Sequence, residues 1–437
     1  MSPKPTAIGQ RTDTGLVRAI GVRDLTASII NATIGAGIFV LPAIVSAGLG
    51  AAAPLAYFAC AVLMALIVLC FATAGSRVSL TGGLYAYIDV AFGPFVGFLA
   101  GVLYGLMAAF AVASVSTAFA GSLGALWAAL GNPVQRGVVL VALFAALAAV
   151  NVQGVTLGTR LVWAMTVAKL LPLAVLVVAG VWFVRPEYLR WSSLPSPSAV
   201  GASSLILYYA FAGVEIALVP SGEIRDPART VPRAVLLALA VTTAVYLLVQ
   251  GVAQGLLGPS LSTSTAAPLA DAAARVLGPA GRLLMLAGAA ISMVGYVSGD
   301  MLGSPRALYA LGRDGMLPAA LGRVHPRFHT PHVAVITYAV LVAALAISSS
   351  FTTLAVLSNV AALTLYLLCV AASYELARRD VRMAGAPFTL PGGPAIPIAA
   401  AVVILWLLSQ ATLREFAVEA IVLAAAALFY IARRRTQ

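Results

Sequence analysis

Apolar runs of about twenty residues recur along the chain between short polar stretches, which is the length a helix needs to cross a bilayer. Twelve such spans can be drawn, at about 24–47, 51–74, 94–126, 134–152, 161–184, 201–222, 234–257, 281–303, 332–349, 351–374, 395–413 and 416–432. The pattern predicts an all-α polytopic membrane protein. Within it, the first span is interrupted at its centre: Asn31-Ala-Thr-Ile-Gly-Ala-Gly-Ile-Phe-Val-Leu-Pro42 places Gly35 and Gly37 in mid-membrane. Glycine costs a helix interior about 1 kcal/mol relative to alanine. Unwound backbone in hydrocarbon is tolerated only where it faces protein or a watery cavity. A break here would aim the first N–H groups of the outer half-helix at an anion such as a carboxylate. Close helix packing through small residues explains the glycine pair equally well when it is taken alone.

The sixth span supplies a counterpart. Tyr208-Tyr-Ala-Phe-Ala-Gly-Val-Glu215 sets a glycine beside an acid at mid-membrane, and a polar, proline-rich exit follows over Ser221–Ala234. An offset of five spans inverts the second unit relative to the first, and matching interruptions in inverted halves mark a transporter's midplane site. The pair therefore favours a site over packing. Lys169, one of two lysines in the chain, lies about eight residues inside the fifth span, roughly 12 Å of helix. That is deeper than a lysine stem reaches by snorkelling, and a buried ionisable group in a membrane is a functional hypothesis by default. Span eight carries a second carboxylate, Asp300, in Gly299-Asp-Met-Leu-Gly303.

Composition agrees with the pattern. Of 437 residues, 62% are hydrophobic and 9% charged, against roughly a quarter charged in a soluble domain. Residues 1–22 are polar and basic, without the short apolar core of a secretory signal. The net charge of +12 reflects topology: with a cytoplasmic N-terminus, 19 of the 26 Lys and Arg fall on the cytoplasmic side. That bias puts both termini in the cytoplasm of a multi-pass protein of the cytoplasmic membrane and indicates no nucleic-acid partner. Cys60, Cys70 and Cys369 all fall inside spans and read as small buried hydrophobes. The loop His325–His332 holds all three histidines, yet with no Cys or acid beside them it predicts no metal site. Phosphate-loop and His-Glu-x-x-His signatures are absent, as is any clustered catalytic set, so neither an enzyme nor a cofactor is expected. Gly82–Tyr87 reads as part of a short amphipathic helix in the cytoplasmic interface, with its tyrosines at headgroup level. Ala and Leu around Ala266–Leu277, within the external segment Ser260–Arg282, suggest a short lid helix.

Several of these stretches resemble motifs of the amino acid–polyamine–organocation transporters. Asn31-x-x-Ile-Gly-x-Gly-Ile-Phe39 followed by Pro42 is similar to their first-helix motif, and Gly82-Gly-x-Tyr-x-Tyr87 to the segment before their third helix. Phe211-x-Gly-x-Glu215 with Glu223-x-x-x-Pro-x-Arg-x-x-Pro-Arg-Ala234 resembles their sixth helix and its exit, and Arg306–Pro318 the loop after their eighth. The resemblance, over about residues 20–380, implies a five-plus-five inverted repeat, the leucine-transporter fold, with two extra helices. The repeats would be residues 23–184 and 201–377, the extra helices 394–432, and the cytoplasmic tails 1–22 and 433–437.

It further implies that a substrate carboxylate meets the first break at Ile34, Gly35, Ala36 and Gly37. The substrate amino group would meet carbonyls of the second at Phe211, Ala212 and Gly213, with Tyr209 or Phe211 as an aromatic gate. Lys169 would occupy the place of sodium in sodium-driven relatives, either exchanging a proton or serving as a fixed cation. Glu215 would carry a proton or counter-charge, or else brace the broken helix. Asp300 departs from the family pattern, and two roles suit it: pairing with Lys169, or reading a cationic substrate group. The function implied is sodium-independent secondary transport of amino acids or related amines by alternating access, driven by protons or exchange. A cationic amino acid or polyamine antiporter is the alternative, and a channel or transporter-like sensor a more distant one. The implied partners are a small-molecule substrate, protons and the lipid bilayer, with no protein partner required.

Overall fold

A computed structural model describes residues 20–78, 80, 82–153, 159–191, 193–218, 224–313, 317–383, 386–390 and 392–434. Residues 1–19 of the N-terminal tail, Ser221–Glu223 of the proline-rich exit, 314–316 of the loop after span eight and 435–437 of the C-terminal tail lie outside the described residues. Within the described residues nine helices are long and apolar enough to cross a membrane, and ten if one bent pair is taken as a single span. Two shorter apolar helices accompany them.

The bent pair is α1 (Val22–Thr33) and α2 (Gly37–Leu49), which meet at 51° across Ile34-Gly35-Ala36. A turn of 3₁₀ helix leads to α3 (Pro54–Arg77), then come α4 (Leu84–Phe92) and the long α5 (Pro94–Leu126). Next are α6 (Pro133–Val152), α7 (Thr159–Gly180), α8 (Pro197–Phe211), the one-turn α9 (Val214–Ala217) and α10 (Pro227–Leu257). The chain ends with α11 (Pro268–Arg313), α12 (His332–Ser348), α13 (Phe351–Arg378), α14 (Ala395–Leu408) and α15 (Leu413–Arg434). Proline at the first helical position starts α3, α5, α6, α8 and α10, where its missing N–H costs nothing and its fixed φ suits the helix. Asn132, Ser196 and Ser350 cap α6, α8 and α13 by accepting from Gln135, Ala199 and Thr353 amides.

The broken pairs occupy the middle. α2 packs on α8 and α1 on α9, so the two breaks face each other. Around them stand α3, α5, α7, α10, α11 and α13. α6 and α15 lie at the periphery and turn apolar side chains such as Val134 and Leu428 outward, as lipid requires. On the face carrying the N-terminal segment, Ile20 forms an isolated parallel bridge with Ile224, and Arg225 donates its amide to the Ile20 carbonyl. Arg77 there donates to Asp380 and to the Val381 carbonyl, which ties the end of α3 to the loop after α13. The three cysteines are buried and free.

Two local expectations come out differently in degree. α11 begins at Pro268 and breaks at Gly278 (φ 63°), so the short helix expected in the external segment is present as the first part of a longer element. α4, expected at the interface, is instead enclosed: Tyr87 and Ile88 are fully buried and only Tyr85 and Phe92 are well exposed. Its sequence Leu-Tyr-Ala-Tyr-Ile-Asp-Val-Ala-Phe is apolar nearly all round, and a helix of that kind is buried within protein.

Candidate functional site

A helix that stops in mid-membrane leaves its last carbonyls without intrahelical partners, and in α1 side chains from three neighbouring helices take them up. Lys169 of α7, wholly buried, donates from Nζ to the Asn31 carbonyl at 2.8 Å. Tyr246 of α10 donates its hydroxyl to the Thr33 carbonyl at 3.4 Å and to the Ala210 carbonyl of α8 at 2.8 Å, so one phenol serves both broken helices. Ser292 of α11 donates to the carbonyls of Ile34 at 3.0 Å and Gly35 at 3.2 Å. The ammonium thus sits at the negative end of the α1 dipole, where a cation is favoured. On the other side of the break, the first N–H groups of α2 begin at Gly37, beside a small cavity lined by Gly35, Ala36 and Gly37.

The second break is built to fit the first. Ala212 is extended, Gly213 has φ 126°, and the helix resumes for one turn at Val214. A Cβ on Gly213 would stand 2.7 Å from the Ala32 carbonyl oxygen, and one on Gly37 would stand 2.8 Å from Cα of Ala210. Both glycines are therefore contact points between the broken helices. Glu215, almost wholly buried, accepts the Gly213 amide at 3.0 Å and the hydroxyl of Tyr366 from α13. Those two donors hold the carboxylate across the break.

The cavity between the breaks has a volume of about 20 Å³, room for one or two waters and no more. Thr33, Ala212, Gly213, Glu215 and Tyr209 line it from α1, the second break, α9 and α8, with Met107, Ala111 and Val115 from α5, Tyr296 from α11 and Ser358 from α13. Toward the face opposite Ile20 lies a second, larger cavity of about 420 Å³. Phe351 lines the larger cavity and Tyr209 the smaller, and the two rings stack edge to face with centroids 5.6 Å apart. Each is anchored to α5: the Tyr209 hydroxyl donates to the Ala111 carbonyl at 2.9 Å, and Ser114 donates to the Phe351 carbonyl at 2.9 Å. The stack stands between the two spaces.

The residues singled out from the sequence divide accordingly. Gly35, Ala36, Gly37, Tyr209, Ala212, Gly213 and Glu215 meet at one cavity. Ile34 is fully buried and contributes its carbonyl to Ser292 rather than lining the space. Phe211 turns away, stacking edge-on against Tyr246 at 5.2 Å beside a separate pocket with Met64 and Thr242. Of the two aromatics proposed as a gate, Tyr209 is the one placed at the cavity. Lys169 and Asp300 are not paired with each other. Asp300 accepts from Ser304 at 2.7 Å and from Tyr338 of α12 at 2.7 Å, while Lys169 is turned to Asn31. Sequence reasoning missed Tyr246, Ser292, Tyr366, Tyr338 and Phe351. For α11 a signal existed: Ser292, Tyr296, Asp300 and Ser304 recur every four residues, which puts one polar stripe on one helix face.

Paired broken helices around an occluded cavity, in a chain of apolar spans, define a membrane transporter rather than an enzyme. The profile of the amino acid permease family matches residues 20–432, and the chain belongs to that family within the amino acid–polyamine–organocation superfamily. It is 33% identical over 349 residues to an uncharacterized transporter of Mycobacterium tuberculosis, which covers 76% of this chain and 74% of the relative. It is 26% identical over 426 residues to the methylthioribose transporter of Bacillus subtilis, with 92% and 90% covered. Identity to the serine/threonine exchanger SteT of the same organism is 28% over 329 residues, with 74% of this chain and 75% of SteT covered.

Proposed function

We propose that this chain carries amino acids or related small amines across the cytoplasmic membrane by alternating access, without sodium, in proton symport or exchange. The observation that supports the reading most is the apposition of the two breaks. Amides at the start of α2 offer an anion site and carbonyls at the end of α8 a cation site, on opposite sides of one cavity. That arrangement suits the two ends of a zwitterion. The twelve spans would comprise inverted repeats at 23–184 and 201–377 plus 394–432, with both termini cytoplasmic by the distribution of Lys and Arg.

In this reading the structure is an occluded state that opens next toward the outside. The larger cavity lies on the side away from Ile20, and Tyr209–Phe351 is the thin partition that must part. Lys169 takes the place of a coupling cation by holding the α1 carbonyl end from α7. Glu215, donated to by Gly213 and Tyr366, braces the second break from within the cavity. A neutral amino acid is the favoured substrate, since the cavity lining is apolar apart from hydroxyls and Glu215. The serine/threonine exchanger among the relatives agrees with a small neutral solute. A cationic amino acid or polyamine antiporter draws its support from Asp300, whose carboxylate is already held by Ser304 and Tyr338.

The test is uptake of a panel of radiolabelled amino acids into proteoliposomes, with and without an imposed pH gradient, for wild type and Lys169→Ala. Gradient-driven accumulation that disappears in the variant is expected for a proton symporter with Lys169 at its coupling site. Uptake only into liposomes preloaded with amino acid would assign exchange, with Lys169 a fixed strut. If no amino acid or amine is taken up saturably, the proposal fails.

A further inference from the structure

The larger cavity, on the face opposite Ile20, carries a feature the transport cycle as described does not use. Its walls come from the outer part of α5, the segment before α11 and the junction of α12 with α13, and they include Thr117, Thr265 and Ser348–Ser350. One charged side chain lines it, Arg136 from the first turn of α6. Arg136 is half-buried and its Nε is out of contact with solvent without a hydrogen-bond partner. Among the described residues its guanidinium forms no ion pair.

One acid on the same face is committed elsewhere. Asp271, at the start of α11, accepts from Ser264 and pairs with Arg282 at 3.7 Å, and Arg282 also donates twice to the Ala125 carbonyl. A guanidinium left without a counter-ion on the wall of a hydroxyl-lined cavity is set to receive a planar anion through two parallel N–H donors. A volume of about 420 Å³ accommodates a whole amino acid, where the inner cavity of about 20 Å³ does not.

We propose that Arg136 forms an outer receiving site that binds the carboxylate of the incoming solute before the Tyr209–Phe351 partition opens. The site rests on the transport reading given above. It raises the local concentration of zwitterion or carboxylate at the mouth, and the inner break then takes the same carboxylate onto backbone amides. The shared chemistry with an anionic lipid headgroup is evident, and the test separates the two.

Uptake of the fastest-moving amino acid of the panel is measured in proteoliposomes of pure phosphatidylcholine, for wild type, Arg136→Gln and Arg136→Lys. The expected result is a KM about tenfold higher in Arg136→Gln with the maximal rate nearly retained, and an intermediate KM in Arg136→Lys. Propionate added outside should inhibit wild type competitively and lose that effect in Arg136→Gln. A second readout needs no transport: phenylglyoxal labelling of Arg136 in the purified protein, followed by mass spectrometry, should be slowed by propionate. Unchanged KM in Arg136→Gln together with unprotected labelling overturns the receiving site. So does an Arg136 effect that appears only when anionic lipid is added, which would make the guanidinium a headgroup contact. Protection by propionate in a protein that transports no amino acid keeps the anion site and removes the transport reading instead.

Discussion

Two glycines at the centre of α1, α2 and their partners carry different loads. Gly213 combines φ 126° with a backbone neighbour 2.7 Å from where a Cβ would stand, whereas a Cβ on Gly35 would meet side chains at ordinary contact distance, the Tyr296 ring at 3.6 Å and Val115 at 4.0 Å. The backbone conformation alone costs a non-glycine residue about 1–3 kcal/mol, and the clash falls on peptide atoms of α1 that are held in place by Tyr246 and Lys169. Gly213→Ala should therefore lower the thermal unfolding midpoint in detergent and abolish uptake, while Gly35→Ala should leave the unfolding midpoint near wild type. An equal fall in the midpoint for the two substitutions would mean that the breaks are not packed as described.

The residues legible from sequence were those whose type is out of place in hydrocarbon: the glycines, Glu215, Lys169 and Asp300. Tyr246, Ser292 and Tyr366 went unread because hydroxyl side chains are common in membrane helices and their value lies in which carbonyl or carboxylate they reach. That depends on packing between helices far apart in sequence. The Lys169–Asp300 pairing failed for the same reason, since each charge found a nearer partner than the other.

Among elements, the polar stripe of α11 and the start of α13 matter most. Asp300 follows Ser292 and Tyr296 along one face of α11, but its oxygens are occupied by Ser304 and Tyr338 and it does not line the central cavity. Asp300→Asn should therefore leave the ratio of lysine to alanine uptake unchanged while slowing both. A collapse of lysine transport alone would restore the substrate-reading role.

At α13, Phe351 closes the space above Tyr209 with its backbone pinned to Ser114. Edge-to-face pairs contribute about 0.5–1.5 kcal/mol beyond their area, so Phe351→Ala should raise the KM for outside substrate about tenfold, and Phe351→Tyr should keep it low. A KM in Phe351→Ala equal to wild type would remove the partition from the account. Helix positions were readable from the spacing of apolar runs and from proline at helix starts. The burial of α4 was not, because an almost wholly apolar nine-residue helix gives no face by which to place it.

At the scale of the molecule, the fold sets a small cavity at mid-membrane between two half-helix ends, with a wider cavity toward the face opposite Ile20 among the described residues. The face bearing Ile20 is tied by the Ile20–Ile224 bridge and by Arg77 to the loop after α13. In the proposed cycle, emptying the site to that side requires α1 and the α8–α9 pair to move against these ties, as alternating access expects. A channel has no such requirement.

Solute counterflow separates the two most directly. Proteoliposomes are preloaded with unlabelled amino acid, diluted into a trace of the same labelled compound, and the internal label is followed with time. A transient overshoot of label inside, far above its equilibrium level, is expected, because a carrier returns loaded. Label that merely equilibrates, with a conductance that does not saturate, would contradict alternating access at the paired breaks.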